Sequence, residues 1–176
     1  MRKILFPLFL FVVLITSCDS EKKTKPSFYD NDTTSSEDFD NIYSGETVSV
    51  PYREEGGVKI VAVKINGLGV DMIFDTGCSD ATISLAEANY LYQKGKLTKE
   101  DIIDTSRAQY ADGSISENIV VNLREVIIDN KLICHNVRAT VMNNVGAPLL
   151  LGNEILDRAE SFTIDQSSHS IQFKLK

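Results

Sequence analysis

The feature that most constrains this chain is a hairpin that ends on a carboxylate. Residues 58–65 form a long β-branched run, Asn66-Gly67 follows, and residues 68–74 return with Leu68, Val70, Met72 and Phe74 alternating onto one face. Asn-Gly between two such runs signals a two-residue hairpin, because both positions accept positive φ. The returning strand delivers Asp75, with Thr76 and Gly77 directly after it. A lone ionised carboxylate at a strand end neither activates water well nor protonates a leaving amine. Two facing carboxylates do both: like charges held close cannot both ionise, so the pair keeps one proton and presents a base and an acid together. Asp-Thr-Gly occurs once in the 176 residues. A second such carboxylate must therefore come from a second copy of the chain, across a two-fold axis.

The rest of the chain reads as strands with little helix. Thr47 to Val50 alternate and are closed by Pro51. Residues 115–128 carry Ile119, Val121 and Leu123 in alternation, and residues 132–142 carry Val137, Ala139 and Val141. One face buried and one wet is the pattern of antiparallel sheets in a small barrel or sandwich. Residues 162–165 and 170–175 give two short closing strands. Ser84-Leu85-Ala86-Glu87 reads as a capping box that opens a helix to about Tyr92, with Leu85, Ala88, Leu91 and Tyr92 on a packed stripe. Gly95 ends it, and Thr98-Lys99-Glu100-Asp101 starts a further helical turn. Tyr110-Ala111-Asp112-Gly113-Ser114 reads as a hairpin tip. Leu149-Leu150-Leu151-Gly152 is a buried strand running into a short helix that contains Ile155 and Leu156.

In that order and spacing, the hairpin, Asp75-Thr76-Gly77, the tip at 110–114 and the apolar-apolar-Gly segment Leu150-Leu151-Gly152 resemble single-domain retropepsin-like aspartic proteases, particularly bacterial membrane-associated ones. The resemblance spans roughly residues 58–173. It implies a mainly β fold, a closed barrel or sandwich of antiparallel strands with one or two short helices. It also implies a homodimeric aspartic endopeptidase acting on peptide or protein substrates, without metal or organic cofactor. Asp75 would be the general acid and base. Thr76 would hydrogen-bond across the dimer, Gly77 would let backbone approach backbone, and Ser79 would bond the Asp75 carboxylate from its outer side. Tyr110, Ala111, Asp112 and Gly113 would form the flap over bound peptide, and Leu150, Leu151 and Gly152 would bury the catalytic loop. Arg107, Asp80 and Asp112 are candidates for substrate contacts. Residues 85–107 depart from the shorter link of viral relatives, and no role for them follows from the sequence.

The N-terminus points to a membrane. Arg2 and Lys3 precede an apolar run over residues 4–15, too short to cross a bilayer but suited to a secretory signal. Ile15-Thr16-Ser17-Cys18 resembles a bacterial lipobox, which would make residues 1–17 a lipoprotein signal and Cys18 the lipidated N-terminus. Residues 18–44 then form an acidic, disordered tether. As a flexible coil, residues 19–44 have an end-to-end distance of about 28 Å. Residues 45–176 suffice for one domain and not two. The expected location is the cell envelope, facing the periplasm or the exterior, with the leaflet open. Of the net charge of −7, the signal carries +2 and the tether −4, which leaves −5 on the domain. Nothing in that balance suggests nucleic acid, which would want a basic face.

Cys78 and Cys134 read as two separate thiols, with Cys134 a small buried strand residue. His135 and His169 have no neighbours at metal-ligand spacing, so no metal site is expected. Two other function classes compete: an inactive peptide-binding or envelope-assembly module on the same fold, and a Cys78 nucleophile served by His135. The intact Asp75-Thr76-Gly77 weighs against the first, and the spacing of Cys78 and His135 against the second.

Overall fold

The computed structural model describes residues 45–109 and 115–176. The expected signal, Cys18, the tether and the flap residues Tyr110, Ala111, Asp112 and Gly113 lie outside the described residues. In chain order the strands are β1 (Thr47–Pro51), β2 (Arg53–Glu55), β3 (Val58–Ile65), β4 (Leu68–Phe74), β5 (Ala81–Ser84), β6 (Ile102–Gln109), β7 (Ile115–Ile128), β8 (Leu132–Met142), β9 (Leu150–Leu151), β10 (Ser161–Asp165) and β11 (Ser170–Lys174). Two short helices, α1 (Leu85–Gln93) and α2 (Asn153–Leu156), and a 3-10 turn at Lys99–Asp101 complete the described elements. The fold is mainly β, as the alternation predicts.

Eight strands form one sheet in the order β2-β3-β4-β9-β5-β8-β7-β6. It closes on itself because β3 also pairs with β7, with Lys64 opposite Ile127. The second sheet places β11 between β1 and β10. Phe162 of β10 stands edge-on to Phe74 of β4, centroids 5.3 Å apart, and lies 6.2 Å from Phe173 of β11, so the small sheet packs against the barrel end that carries Asp75. Val63, Ile65, Met72, Ile83, Leu123 and Leu151 are buried in the shared core. Removing each such side chain from water is worth about 1.5–3 kcal/mol.

The Asn66-Gly67 hairpin forms with both residues at positive φ, and Asp129-Asn130 turn β7 into β8 in the same way. Two pairings are parallel, β4 with β9 and β5 with β8, where alternation alone leads one to expect antiparallel neighbours. The reason is topological: β9 slots between β4 and β5, and no hairpin connects it to either. At α1, the Ser84 hydroxyl accepts the Ala86 N–H at 3.0 Å, so Ser84 caps the helix as expected. It donates to the Glu87 carboxylate side chain to side chain, in place of the reciprocal backbone bond of a capping box. Ala88 and Leu91 are buried. Tyr92 is not, being half exposed at 51 %, which corrects the expected stripe. Ile119 likewise stands 44 % exposed where strand alternation placed it inward.

The segment with no derived role acquires one here. After α1 the chain makes the 3-10 turn, and the buried Asp101 takes both arms of the Arg124 guanidinium, Nε at 2.8 Å and Nη2 at 2.6 Å. Its second oxygen also accepts the Thr98 N–H at 2.7 Å. The insertion is thereby pinned to β7, one of the two strands that carry the expected flap.

Candidate active site

Asp75 sits where β4 ends, and its surroundings come from two distant stretches. The Asp75 N–H donates to the Leu151 carbonyl at 3.2 Å, and the Ile73 N–H to the Leu149 carbonyl at 2.8 Å, so β9 continues the β4 backbone ladder up to the carboxylate. Asp75 Oδ1 accepts the Gly77 N–H at 2.8 Å. A Cβ on Gly77 would lie 3.1 Å from that same oxygen. Gly77 does not have positive φ; glycine is favoured here by the space beside the carboxylate rather than by its dihedrals.

Gly152 is held more tightly still. A Cβ there would meet the Asp80 carbonyl oxygen at 2.1 Å and the Cys78 carbonyl oxygen at 2.7 Å. Directly after it, the Asn153 N–H donates to the Cys78 carbonyl and the Glu154 N–H to the Ser79 carbonyl, both at 2.8 Å. The Asn153 side-chain amide donates to the Thr76 carbonyl at 3.1 Å. The start of α2 thus straps the loop 75–80 from behind, and buried Leu151 covers it. Arg158 secures α2 in turn: nearly buried, it pairs with Glu154 at 2.9 Å and donates to the carbonyls of His135 at 2.7 Å and Asn136 at 3.2 Å. Asn153, Glu154 and Arg158 are supports that sequence reasoning missed. The local signal for them was the position of Asn153 directly after Gly152.

Asp75 and Thr76 line an open cleft of about 320 Å³ with Val58, Ile73 and Ile164 among its walls. Thr76, Gly77 and Ser79 are exposed, and Asp75 is half-buried. The Ser79 hydroxyl makes no hydrogen bond to Asp75; the Gly77 N–H occupies that role, and Ser79 is held through its carbonyl. Asp80 is half-buried and accepts from the Thr140 hydroxyl at 2.9 Å, with Arg138 Nε at 3.8 Å. Arg138 also reaches Asp104 on β6 at 3.2 Å. Arg107 pairs with Glu117 across the β6–β7 ladder at 2.8 Å. Around 110–114 the two strands are in register up to Gln109 opposite Ile115.

The thiols are separate. Cys78 Sγ lies 3.1 Å from the Asp80 carbonyl oxygen and 3.5 Å from Thr82 Oγ1, while Cys134 is buried on β8. His135 Nδ1 is 3.0 Å from the Arg124 carbonyl oxygen, a contact that turns the ring toward β7. Among the described residues, no three of His, Cys, Asp and Glu converge as metal ligands.

This architecture has relatives. The chain is similar in structure to a retropepsin-like aspartic protease from Rickettsia conorii, with a TM-score of 0.54 at 21 % identity over 76 % of this chain and 98 % of that one. At that identity the likeness shows the fold. No curated protein matches the chain in sequence. Residues 61–158 match the model of the family described as gag-polyprotein putative aspartyl protease, a stretch that holds Asp75, Gly152 and α2. With more than half of its length inside that match, the chain belongs to the gag-polyprotein aspartyl protease family and has the retropepsin-like fold.

Proposed function

We propose that this protein is an aspartic endopeptidase that works as a homodimer, each copy contributing Asp75 to a shared dyad, tethered by a lipid on Cys18 to a bacterial envelope membrane. The observation that carries the reading is the setting of Asp75: one carboxylate in an open cleft, with Thr76 and Gly77 exposed beside it. β10, whose Ile164 lines the same cleft, is one of the two outer strands of its sheet. A second copy meeting the first at Thr76 and Gly77 would bring the two carboxylates together and cover Val58 and Ile164, which are otherwise exposed.

In that dimer the two Asp75 carboxylates hold one proton between them. The ionised one takes a proton from water as it attacks the peptide carbonyl; the protonated one hydrogen-bonds the carbonyl oxygen, and a proton then passes to the leaving amine. The Gly77 N–H on Oδ1 fixes which face of each carboxylate is turned to the water. Substrate would lie extended beneath the hairpin of β6 and β7, pairing backbone with backbone.

The test is cleavage of a diverse peptide mixture by the chain and by Asp75→Asn, from acid to neutral pH, at high and low protein concentration. Cleavage lost in the variant and falling on dilution is the expected result. Equal cleavage by both would remove Asp75 as catalyst, and none from a folded dimer would favour a peptide-binding module.

A further inference from the structure

β6 is an outer strand of the eight-stranded sheet and is paired with β7 alone among the described strands. Near its start the register slips between Ile102 and Asp104, and a slip of this kind re-aims the side chain beside it. Asp104 Oδ1 accepts the Thr105 N–H at 2.8 Å, and its other oxygen meets Arg138 Nη2 at 3.2 Å. Asp104 lies opposite Val120 of β7, which lies opposite Thr140 of β8, so the three side chains form a row on one face. Arg138, two residues before Thr140, shares that face. Its guanidinium thus crosses β7 to β6, while its Nε stands 3.8 Å from Asp80, whose carboxylate the Thr140 hydroxyl also holds. Asp80 closes the loop that begins at Asp75. The Arg138 N–H in turn donates to the Glu154 carboxylate at 3.4 Å, and the Glu154 N–H straps Ser79. Catalytic loop, strap and outer strand converge on one arginine.

We infer that Arg138 is a positioning residue for peptide cleavage: by holding Asp80 and Asp104 at once, it couples β6 to the loop that carries Asp75. The inference deepens the protease reading of that site and rests on it. A backbone ladder to one neighbour leaves an outer strand free to swing about that neighbour, and a side-chain bridge from β8 to Asp104 opposes the swing. Substrate lying beneath the hairpin of β6 and β7 bears on β6, and the bridge passes that load to Asp80 and so to the loop. Arginine suits the task because its planar guanidinium offers Nε and Nη2 in fixed directions, whereas a lysine ammonium is a single point of charge. All three side chains are partly exposed, and ion pairs in that setting add little to stability. The bridge therefore acts on geometry more than on folding.

The test is residue-level amide exchange of the full chain, with urea titration and steady-state peptide cleavage alongside. Asp104→Asn, which alters no contact of the loop, should speed exchange of the Gly77 and Cys78 amides, and Asp80→Asn should speed exchange over residues 103–107, each about threefold with the urea midpoint unchanged. Arg138→Met should do both, and Arg138→Lys, which keeps the charge and loses the fork, should behave like it. In cleavage, Arg138→Met should lower kcat/KM about fivefold, and adding Asp104→Asn to it should change little further. The control is Arg53→Met, which breaks an arginine pair from the other outer strand, β2, to Asp71 on β4; it should leave residues 103–107 as they were. Exchange that changes only in the substituted segment, or rises everywhere with a lower midpoint, overturns the inference. Transmitted exchange with undiminished cleavage overturns it too. A folded parent chain that cleaves nothing removes the protease reading and the positioning role with it, whereas cleavage by the parent without the transmitted change sinks the inference alone.

Discussion

The side-chain amide of Asn153 donates to the Thr76 carbonyl at 3.1 Å while its own N–H holds the Cys78 carbonyl at 2.8 Å. One residue of α2 therefore fixes the carbonyls on both sides of Gly77, and with them the direction of the Gly77 N–H that meets the carboxylate. Asn153→Ala should cost about 1 kcal/mol in urea denaturation, the worth of one such bond. Peptide cleavage should fall tenfold or more, mainly in kcat, because orientation at Asp75 is lost while the fold persists. A loss of activity no larger than the loss of stability would contradict this.

Gly152 admits no side chain. A methyl carbon placed on it would sit 2.1 Å from the Asp80 carbonyl oxygen and 2.7 Å from that of Cys78, so Gly152→Ala must move β9 or the loop. A cost of about 3 kcal/mol, at the upper end for overpacking, is expected in urea titration. Gly69→Ala, where nothing lies within 4 Å of the added carbon, is the control and should unfold within about 1 kcal/mol of the parent.

Burial pushes the Asp101 carboxyl up, and the hydrogen bonds from Arg124 and Thr98 outweigh it, so its pKa lies below the ordinary value. A carboxyl with a depressed folded-state pKa adds stability that is present above its unfolded value and lost as pH falls through the folded one. Arg124→Met should lower stability near neutrality, because it leaves the buried Asp101 carboxylate with only its Thr98 donors. The same variant should flatten the loss of stability below about pH 4, measured by thermal melts across the acid range.

Asp165, at the turn from β10 to β11, accepts from the hydroxyl of Ser167 and from the N–H groups of Ser167 and Ser168, and is lowered to about 2. A carbon-detected NMR titration should find it ionised well below the ordinary aspartate range. Ser167→Ala, which removes the largest contribution, should bring it back toward the ordinary value.

Much of this was legible locally. The alternation through Phe74 and the Asn66-Gly67 turn depend on neighbours within a few residues and formed as read; so did Ser84 as the helix cap, though not its reciprocal bond with Glu87. The barrel closure of β3 on β7 and the parallel seat of β9 depend on residues far apart, and hydrophobic period carries no information about strand direction. Asn153 and Arg158 were missed for the same reason: their partners, Thr76 and the His135 carbonyl, are remote in sequence. Tyr92 misled because a nine-residue helix lying over a barrel buries only a narrow face, represented by Ala88 and Leu91.

β4 and β5 are near neighbours along the chain, yet the strand between them arrives only at Leu150. A ribosome that has delivered Asp75-Thr76-Gly77 has still to make about two fifths of the chain before that gap can be filled. Until then the carboxylate has neither its ladder nor its strap, and pairing of such separated segments is the slow part of folding. The order of synthesis thus acts as a timer: a growing or truncated chain carries the motif without the organised site, and protease activity should wait on the last quarter of the sequence.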